Sequence, residues 1–268
     1  MNNVIRLGLA RTRVAPGEWS YANGRQAALE LLAVMGMEAG DGPRDVAVPV
    51  AIRRVCGGES LFHEGAEAEV LYFVRAGTFK TSRTAADGYE QVLGFAWRGD
   101  VMGFDAVCSS VHPSSAVALE DSSVFVVPIR DLSGLGQRMP ELDMVVQRAA
   151  SRALAGSSEL ADLMAAVAAE VRVARFLLQL SQRMQRCAQS PRRFHLRMNR
   201  RDIASYLGLA HETVSRSFSA LARWGLVRVH HRELELMDMD GLRTLALNTR
   251  RQVDEPAAVA HQPDEAVA

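Results

Sequence analysis

Cysteine, lysine and long apolar runs are all scarce in this chain of 268 residues. The three cysteines, Cys56, Cys108 and Cys187, lie far apart, which predicts neither a disulfide framework nor a zinc knuckle. Cysteines used this sparsely are typical of a reducing compartment such as the cytoplasm. No run of about 20 uninterrupted apolar residues occurs, and residues 1–9 lack the apolar core of a signal peptide. We therefore expect a cytoplasmic protein with no membrane association.

Signatures of catalysis are also missing from the sequence. No phosphate-binding P-loop, dinucleotide-binding glycine motif or nucleophile–base pair is present. A metal-dependent oxygenase of the cupin type would need a His-x-His pair with further Glu and His ligands. His63 stands alone beside Glu64, with no second histidine near it. We therefore expect no enzymatic activity.

The overall balance of charge hides a strong local asymmetry. The chain has 31 basic and 31 acidic residues, and Lys80 is its only lysine, so nearly all of its positive charge is arginine. Residues 172–232 contain thirteen arginines but only two acids, Asp202 and Glu212, which is a formal excess of eleven positive charges. A merely solvated surface would mix the signs, whereas such an excess is typical of a protein that binds a phosphate backbone.

Inside this basic segment, the sequence predicts two short helices joined by a tight turn. Asn199 is a good N-cap, and Asp202 three positions later completes a capping box near the positive end of the first helix. Ile203 and Leu207 are four residues apart and face inward. Gly208 can adopt the left-handed conformation that the turn requires. The pattern is typical of a helix-turn-helix.

The second predicted helix has one apolar and one polar face. Val214, Phe218 and Leu221 follow the i, i+4, i+7 spacing of a packed face. The polar face carries His211, Glu212, Ser215, Arg216 and Ser219. Arginine can bind O6 and N7 of guanine with two hydrogen bonds, glutamate can accept one from N4 of cytosine, and serine can reach base edges or a phosphate. This face can therefore read a DNA major groove; the alternative is a helical hairpin with a solvated polar face.

Further elements surround this helix pair. Gly225 is placed to end the second helix, and alternating residues over 226–230 and 233–237 predict a hairpin with a two-residue turn, the wing of a winged helix-turn-helix. A helix over residues 170–183 precedes the pair. Together these elements form the predicted DNA-binding domain, residues 170–247.

The segment from residue 46 to residue 135 predicts a different architecture. Short apolar runs alternate with glycine-containing turns, and the predicted strands are residues 70–74, 78–81, 91–95, 116–119 and 123–127. Regular strands at this spacing favour a β-roll or jelly roll. Residues 1–45 form an N-terminal extension, with a short amphipathic helix at 24–37 and a linker at 40–43.

Between the two domains, residues 136–169 predict one long helix with a wide apolar stripe. A stripe that wide is expected to meet both its own domain and a second copy of the chain in a two-fold seam. The residues predicted for this dimer seam are Leu142, Val146, Ala149, Ala153, Leu154, Leu160 and Met164. No acid occurs in residues 154–158 to oppose association, so we expect a permanent homodimer. The alternative is a helix packed wholly within one chain.

Residues 248–268 are rich in Ala, Gln, Asp, Glu and Pro and have no apolar face, so this tail is predicted to be disordered. The chain as a whole is therefore predicted to have an α+β fold, in which a β-roll, a long dimerisation helix and a winged helix-turn-helix follow one another.

That order of parts resembles the CRP/FNR transcription regulators, whose roll is of the cyclic-nucleotide-binding kind, and the match covers residues 53–246. Three motifs of the roll resemble the FNR branch: Gly-Asp-Val-Met-Gly-Phe-Asp-Ala at 99–106, His-Pro-Ser at 112–114 and Ala-Leu-Glu at 118–120. His-Glu-Thr-Val-Ser-Arg at 211–216 is similar to that branch's recognition helix. The resemblance implies a sequence-specific DNA-binding regulator.

The resemblance also implies roles for individual residues. Glu212, Ser215 and Arg216 fall where the family reads bases, and the expected half-site resembles TTGAT in a two-fold symmetric operator. The residues that would meet phosphates or assist are Arg200, Arg201, His211 and Ser219. Ala210 departs from the family, because it occupies the usual Ser or Thr N-cap, whose loss typically costs ~1 kcal/mol. The loop at residues 85–90 lies where the family touches RNA polymerase, which is therefore an expected partner beside double-stranded DNA.

The sensor chemistry of the family is absent from this sequence. FNR-type oxygen sensors hold an iron–sulfur cluster with four cysteines, whereas residues 1–45 contain none and Phe125 occupies the internal cysteine position of the family. The cyclic-nucleotide branch needs an arginine and a glutamate, and residues 103–116 carry neither. A buried phosphate would lack a compensating charge there. No cofactor is therefore expected.

Two alternatives stay open. Cys108 and His112 are close in sequence and could support haem or thiol-redox chemistry that gates the same regulator; the simpler interpretation is a small packed cysteine and an ordinary His-Pro-Ser turn. The other alternative is a ligand-binding sensor module whose helix-turn-helix contacts protein rather than DNA.

Overall fold

The computed structural model describes residues 24–38, 50–132, 134, 137 and 139–248. The predicted linker at 40–43 and the predicted tail beyond Asn248 lie outside these residues. The helices are α1 (Gly24–Val34), α2 (Glu141–Met164), α3 (Ala169–Arg186), α4 (Arg200–Leu207), α5 (His211–Arg223) and α6 (Met239–Ala246). The strands are β1 (Ala51–Val55), β2 (Ser60–Phe62), β3 (Val70–Ala76), β4 (Phe79–Thr84), β5 (Glu90–Ala96), β6 (Val101–Met102), β7 (Ser115–Ala118), β8 (Ser122–Pro128), β9 (Arg193–His195), β10 (Val227–His230) and β11 (Glu233–Leu236).

The predicted β-roll is confirmed as two four-stranded antiparallel sheets, with strand orders β1-β8-β3-β6 and β2-β7-β4-β5. Side chains between the sheets, among them Val74, Phe79 and Val126, form one apolar cluster. The strands β1, β2 and β6 were not predicted. The strand β1 carries Arg53 and Arg54 in its centre, and β6 is only two residues long, so neither gives a clear alternating pattern.

Helices α1 and α2 cover the outer face of the first sheet. Leu31 and Leu32 of α1 belong to the same apolar cluster as Phe73 and Phe125 of the sheet and Val145 of α2. The guanidinium of Arg148 on α2 donates to the carbonyl oxygens of Met35 and Gly36, the two residues that follow α1. These hydrogen bonds fix the two helices to each other. No helix in the described part of the chain is long and apolar enough to cross a bilayer. Because Leu31 and Leu32 are buried against the sheet, α1 is part of the core of the roll.

Part of the predicted dimer seam is buried inside the chain itself. Leu142 and Ala149 are almost fully buried against α1 and the sheet. Their assignment to a seam with a second chain was wrong, because the roll already occupies that stripe of α2. Leu154 points the other way and is 73% exposed, and Ala153 and Met164 are exposed with it. The other two predicted seam residues, Val146 and Leu160, are half-buried.

The C-terminal domain confirms the predicted winged helix-turn-helix. Helices α3 to α6 surround one apolar core that includes Phe176, Ile203, Val214 and Leu234. The hairpin of β10 and β11 is present at the predicted position, and β9 pairs with β11 as a third strand that was not predicted. A three-residue strand next to Ser190 and Pro191 leaves too little pattern to be found from sequence.

Three ring-bearing side chains of the roll stack on one another: Phe62, Tyr72 and His112. His112 is only 2% exposed, and its ring lies parallel to that of Phe62 with 3.9 Å between the ring centroids. The ring of Tyr72 also stacks on that of Phe62, with 5.7 Å between the ring centroids. The Nδ1 atom of His112 has no hydrogen-bond partner within the described residues. Burial lowers the pKa of His112, and the nearby charge of Asp105 only partly opposes this.

This burial predicts a loss of stability in mild acid. The unfolded chain binds a proton at His112 near its ordinary pKa of about 6.5, whereas the folded chain resists protonation until a lower pH. The free energy of unfolding should therefore begin to fall as the pH drops below that value, by at most ~1.4 kcal/mol per pH unit from this group. Urea titrations between neutral pH and mild acid measure the slope.

The variant His112→Phe removes the titrating group and keeps an aromatic ring, so its pH slope should be shallower than that of the unmodified chain. The same substitution at His63, which is exposed, is the matched control and should leave the slope unchanged. Equal slopes for His112→Phe and the unmodified chain would contradict this assignment.

Candidate DNA-binding surface

The start of α4 is fixed by the predicted capping box. The side-chain oxygen Oδ1 of Asn199 accepts a hydrogen bond from the backbone N–H of Asp202 at 2.9 Å. In return, Oδ2 of Asp202 accepts one from the backbone N–H of Asn199 at 3.1 Å. Two backbone donors that a helix start leaves without a partner are thereby satisfied.

The turn between α4 and α5 is held in place by a left-handed glycine and by an arginine from α3. Gly208 has φ +62°, and the N–H of Leu209 after it donates back to the carbonyl of Ala204 at 3.0 Å. Arg172 donates to the carbonyl oxygen of Leu207 at 3.1 Å and to that of Ala166 at 2.7 Å. Arg172 therefore ties the turn to the segment that joins α2 to α3. The position of the α4–α5 pair depends on that segment and on α3, which carries Arg172.

Helix α5 buries one face and presents the other to solvent. Val214, Phe218 and Leu221 are buried as predicted, and Ser217 beside them is fully buried as well. Ala210 stands at the N-cap with no side-chain hydrogen bond to the helix. Its backbone is nevertheless extended, as at an ordinary N-cap, so the helix begins where the sequence predicts it, at His211.

The predicted base-reading residues lie on the outward face of α5. Glu212 and Arg216 are exposed, and Ser215 between them is half-buried. Arg216 makes only a long contact, 3.5 Å, with the hydroxyl of Thr213. The Ser215 hydroxyl donates to the carbonyl of His211 at 3.1 Å, which leaves its lone pairs available as acceptors. The face therefore carries one cation, one anion and one hydroxyl, all accessible to a partner.

The two arginines predicted to meet phosphates differ in position. Arg201 is exposed, but the guanidinium of Arg200 lies over the ring of Phe218, with 3.4 Å between its Cζ atom and the ring centroid. Burial lowers the pKa of Arg200 to about 10, so it stays charged at neutral pH. Its Nη1 atom is buried and has no hydrogen-bond partner among the described residues. Arg200 therefore braces α4 against α5 by a cation–π contact.

Other arginines extend the basic surface on both sides of α5. Within residues 172–232, the arginines that are exposed and make no ion pair with any described residue are Arg186, Arg192, Arg193, Arg201, Arg216, Arg223 and Arg232. Arg228, by contrast, pairs with Glu235 across the wing at 2.8 Å. Exposed arginines without an acidic partner are available to phosphate oxygens.

The tip of the wing was predicted as a turn but not as a contact. His230, His231 and Arg232 are all exposed there, and His231 has φ +54°, which makes the tight turn. Two histidines and an arginine in sequence could have marked this loop as a site for an anion. A contact within the chain that was not predicted joins β5 to α4 through Ser205.

The two candidate sensor residues differ in exposure. Cys108 is exposed, whereas His112 is buried against Phe62. Phe125, at the internal cysteine position of the family, is fully buried in the sheet. Among the described residues, no group of three or more His, Cys, Asp or Glu side chains is arranged to hold a metal ion.

Comparison with known proteins agrees with both halves of the chain. Residues 171–245 match the family model of the Crp-like helix-turn-helix domain, and residues 52–138 match that of the cyclic nucleotide-binding domain. The chain is 40% identical to the transcriptional regulatory protein btr of Bordetella pertussis over 192 residues, which cover 72% of this chain and 79% of that protein. It is 39% identical to the fumarate and nitrate reduction regulatory protein of Escherichia coli K12 over 193 residues, 72% of this chain and 77% of that protein.

Two solved structures are similar to this chain over most of its length. FixK2 from Bradyrhizobium japonicum superposes with a TM-score of 0.65 at 28% identity, over 73% of this chain and 96% of that chain. The CRP-family regulator TTHB099 from Thermus thermophilus has the same fold, with a TM-score of 0.60 at 22% identity over 72% of this chain and 96% of that one. Fold, helix-turn-helix and relatives agree: the chain belongs to the CRP/FNR family of transcription regulators, and its C-terminal domain is a DNA-binding helix-turn-helix domain.

Proposed function

We propose that this regulator binds an FNR-like palindromic DNA site as a homodimer and reads it with Glu212, Ser215 and Arg216. The observation that carries the proposal is the outward face of α5, where these three side chains are accessible on a helix whose other face is fully packed. In helix-turn-helix proteins this second helix enters the major groove. The expected half-site is TTGAT, with Arg216 as the residue that binds a guanine through two hydrogen bonds.

Homodimer formation is supported by the outward stripe of α2. Leu154 and Met164 are large apolar side chains that remain exposed on this helix, and Ala161 lies between them. A second copy of the same helix would cover them in a two-fold seam. Such a dimer places its two α5 helices about one DNA turn apart, roughly 34 Å, which matches a palindromic operator.

The regulator is proposed to act in the cytoplasm, without catalysis and without a resident cofactor. Three cysteines are too few for a four-cysteine cluster within one chain. In the roll, residues 103–116 contain neither the arginine nor the glutamate that a cyclic nucleotide would need. Gating by haem or by thiol oxidation is the competing version, and it predicts DNA binding that depends on an added ligand or oxidant.

RNA polymerase is the proposed second partner, which would make the regulator an activator. The loop at residues 85–90 joins β4 to β5, and every residue in it is exposed. Two hydrogen bonds at 2.9 Å close the loop, from Ala85 N–H to Tyr89 O and from Gly88 N–H to Ala85 O. The loop is therefore an ordered, accessible protrusion that another protein can contact.

Replacing Arg216 by alanine tests the base-reading role. The variant should lose about 5- to 150-fold in affinity for the TTGAT palindrome, or ~1–3 kcal/mol, and should discriminate less at one base pair of each half-site. Binding to random DNA should change far less, because phosphate contacts supply that affinity. Fluorescence anisotropy with both duplexes at fixed salt gives the two constants.

The matched control is Arg223→Ala, an exposed arginine in the last turn of the same helix. It should affect palindromic and random DNA to the same small extent. If Arg216→Ala weakened both duplexes equally, the base-reading role would be wrong. If the affinity of the unmodified chain ignored salt, the sensor-module alternative would be favoured over DNA binding.

Replacing Leu154 by glutamate tests the seam. Two buried carboxylates at a two-fold axis repel each other and lose their hydration, so the variant should be a monomer at micromolar concentration in sedimentation equilibrium. Ala155→Glu is the control, because this exposed position lies roughly 100° further around the helix. A dimeric Leu154→Glu variant, or a monomeric unmodified chain, would contradict the proposed assembly.

A further inference from the structure

The outer edge of β5 docks on the first helix of the helix-turn-helix. β5 is an edge strand of its sheet, so its outer backbone groups have no neighbouring strand. The Ser205 hydroxyl on α4 accepts from the N–H of Val92 at 2.8 Å and donates to the carbonyl of Glu90 at 3.0 Å. The side chain of Gln91 donates to the Ser205 carbonyl at 2.8 Å. Helix α4 of the helix-turn-helix thus takes the place that a further strand would occupy beside β5.

The only lysine of the chain reinforces the same contact. The Nζ atom of Lys80 on β4 lies 3.0 Å from Oδ1 of Asp202 and 2.9 Å from Oε1 of Glu90. The side chains of Lys80 and Asp202 are only 12% and 9% exposed. The second oxygen of Asp202 accepts from the Asn199 backbone in the capping box. One carboxylate therefore joins the β-roll to the first turn of α4.

Lys80 and Glu90 are held in their charged forms at this contact. Burial alone would lower the pKa of Lys80, but hydrogen bonds to Glu90 and Asp202 outweigh it, and the pKa is raised. Burial alone would raise the pKa of Glu90, but its hydrogen bonds from Lys80 and Ser82 outweigh that, and its pKa is lowered. A buried ion pair fixes geometry more than it adds stability, because its attraction is offset by lost hydration.

Aromatic packing behind the ion pair completes the interface. The ring of Phe95 on β5 lies 5.3 Å from that of Tyr206 on α4 and 6.3 Å from that of Phe176 on α3, between ring centroids. Trp97, two residues further along the chain, packs under the guanidinium of Arg183, with 4.7 Å from its Cζ atom to the ring centroid. The apolar rings supply burial, while the polar contacts of Lys80 and Ser205 are directional.

This interface connects the reading helix to the dimer helix. Helix α5 is held to α4 by the contact of Arg200 with Phe218, and α2 is packed on the other face of the roll through Leu142 and Ala149. The angle between α5 and α2 is therefore set through the roll as well as through the short segment that joins α2 to α3.

We propose that Lys80 and Ser205 form an interdomain latch that fixes the angle of α5 relative to α2, and that the latch sets which spacing between half-sites the dimer accepts. Both are positioning residues, since neither lies on the outward face of α5. The inference rests on the proposed palindromic binding for its consequence, but the latch itself is a property of the single chain.

The test on DNA uses Lys80→Met, which keeps the length of the side chain and removes its charge. Asp202 is left intact because it also caps α4. The unmodified chain should prefer TTGAT-N4-ATCAA over duplexes with spacers two base pairs shorter or longer, and Lys80→Met should reduce this preference by about tenfold. Lys80→Arg should retain it, and Ser205→Ala should reduce it in the same direction. Arg83→Met, at an exposed position of the same strand, is the matched control.

A purely structural role would lower affinity for all spacers by one common factor. That result, or an unchanged spacer preference in Lys80→Met, would overturn the latch. Retention of the preference by Arg83→Met is required for the effect to be assigned to the latch.

A second measurement makes the latch independent of DNA. Nitroxide labels on Cys56, which is exposed on the roll, and on Arg223→Cys report the distance between the two domains by double electron–electron resonance. Cys108→Ser and Cys187→Ser remove the other thiols, and excess unlabelled chain suppresses distances between subunits. The distribution should be narrow for the unmodified latch and broad for Lys80→Met. Broadening without palindrome binding would retain the latch and reject the proposed function, whereas equally narrow distributions would reject the latch.

Discussion

Two reading helices can bind one DNA site only if each is held at a fixed angle to the axis that relates them. In the proposed dimer that constraint falls on the contact between the β-roll and the helix-turn-helix, where Phe95, Phe176 and Tyr206 pack together. Helix α4 is too short, at eight residues, to be stable by itself. Its orientation and its stability both come from the surfaces it packs on, so the domain that reads DNA depends on the domain that carries it.

The same dependence gives the roll a role that does not need a ligand. The roll matches the family model of the cyclic nucleotide-binding domain, and its contact with α4 is made by its own strands β4 and β5. Its hairpin of β4 and β5 docks α4 along the edge of β5, and the loop at the tip of the same hairpin is the proposed contact for RNA polymerase. Under that proposal, a protein that binds the loop also acts on the support of α4.

Local signals predicted the helix-turn-helix well. Asn199 and Asp202 mark the start of α4, Gly208 marks the turn, and the spacing of Val214, Phe218 and Leu221 marks the packed face of α5. Each of these depends on residues a few positions apart, which a sequence displays directly. The five strands predicted in the roll were also found, because each carries its own alternating or apolar run.

Sequence reasoning failed where the answer depended on distant residues. The stripe on α2 gave no indication of which apolar residues face the roll and which remain outside, so Leu142 and Ala149 were placed on the wrong side. The contact of Arg200 with Phe218 was not predicted, because the two residues lie on different helices; the phosphate role of Arg200 stays a prediction. The partnership of Lys80 with Asp202 joins residues 122 positions apart. Lys80 is the only lysine beside thirty arginines, and this exception in the sequence could have marked position 80 as a candidate for a specific contact.

The most direct measurement is a titration of the purified chain, as isolated and with its absorption spectrum recorded, against TTGAT-N4-ATCAA and a scrambled duplex at two salt concentrations. The account predicts selective binding of the palindrome by colourless protein, with two chains per duplex. It also predicts that affinity for both duplexes falls as salt rises. Equal affinity for the two duplexes, or binding that begins only after a coloured cofactor or an oxidant is supplied, would contradict it.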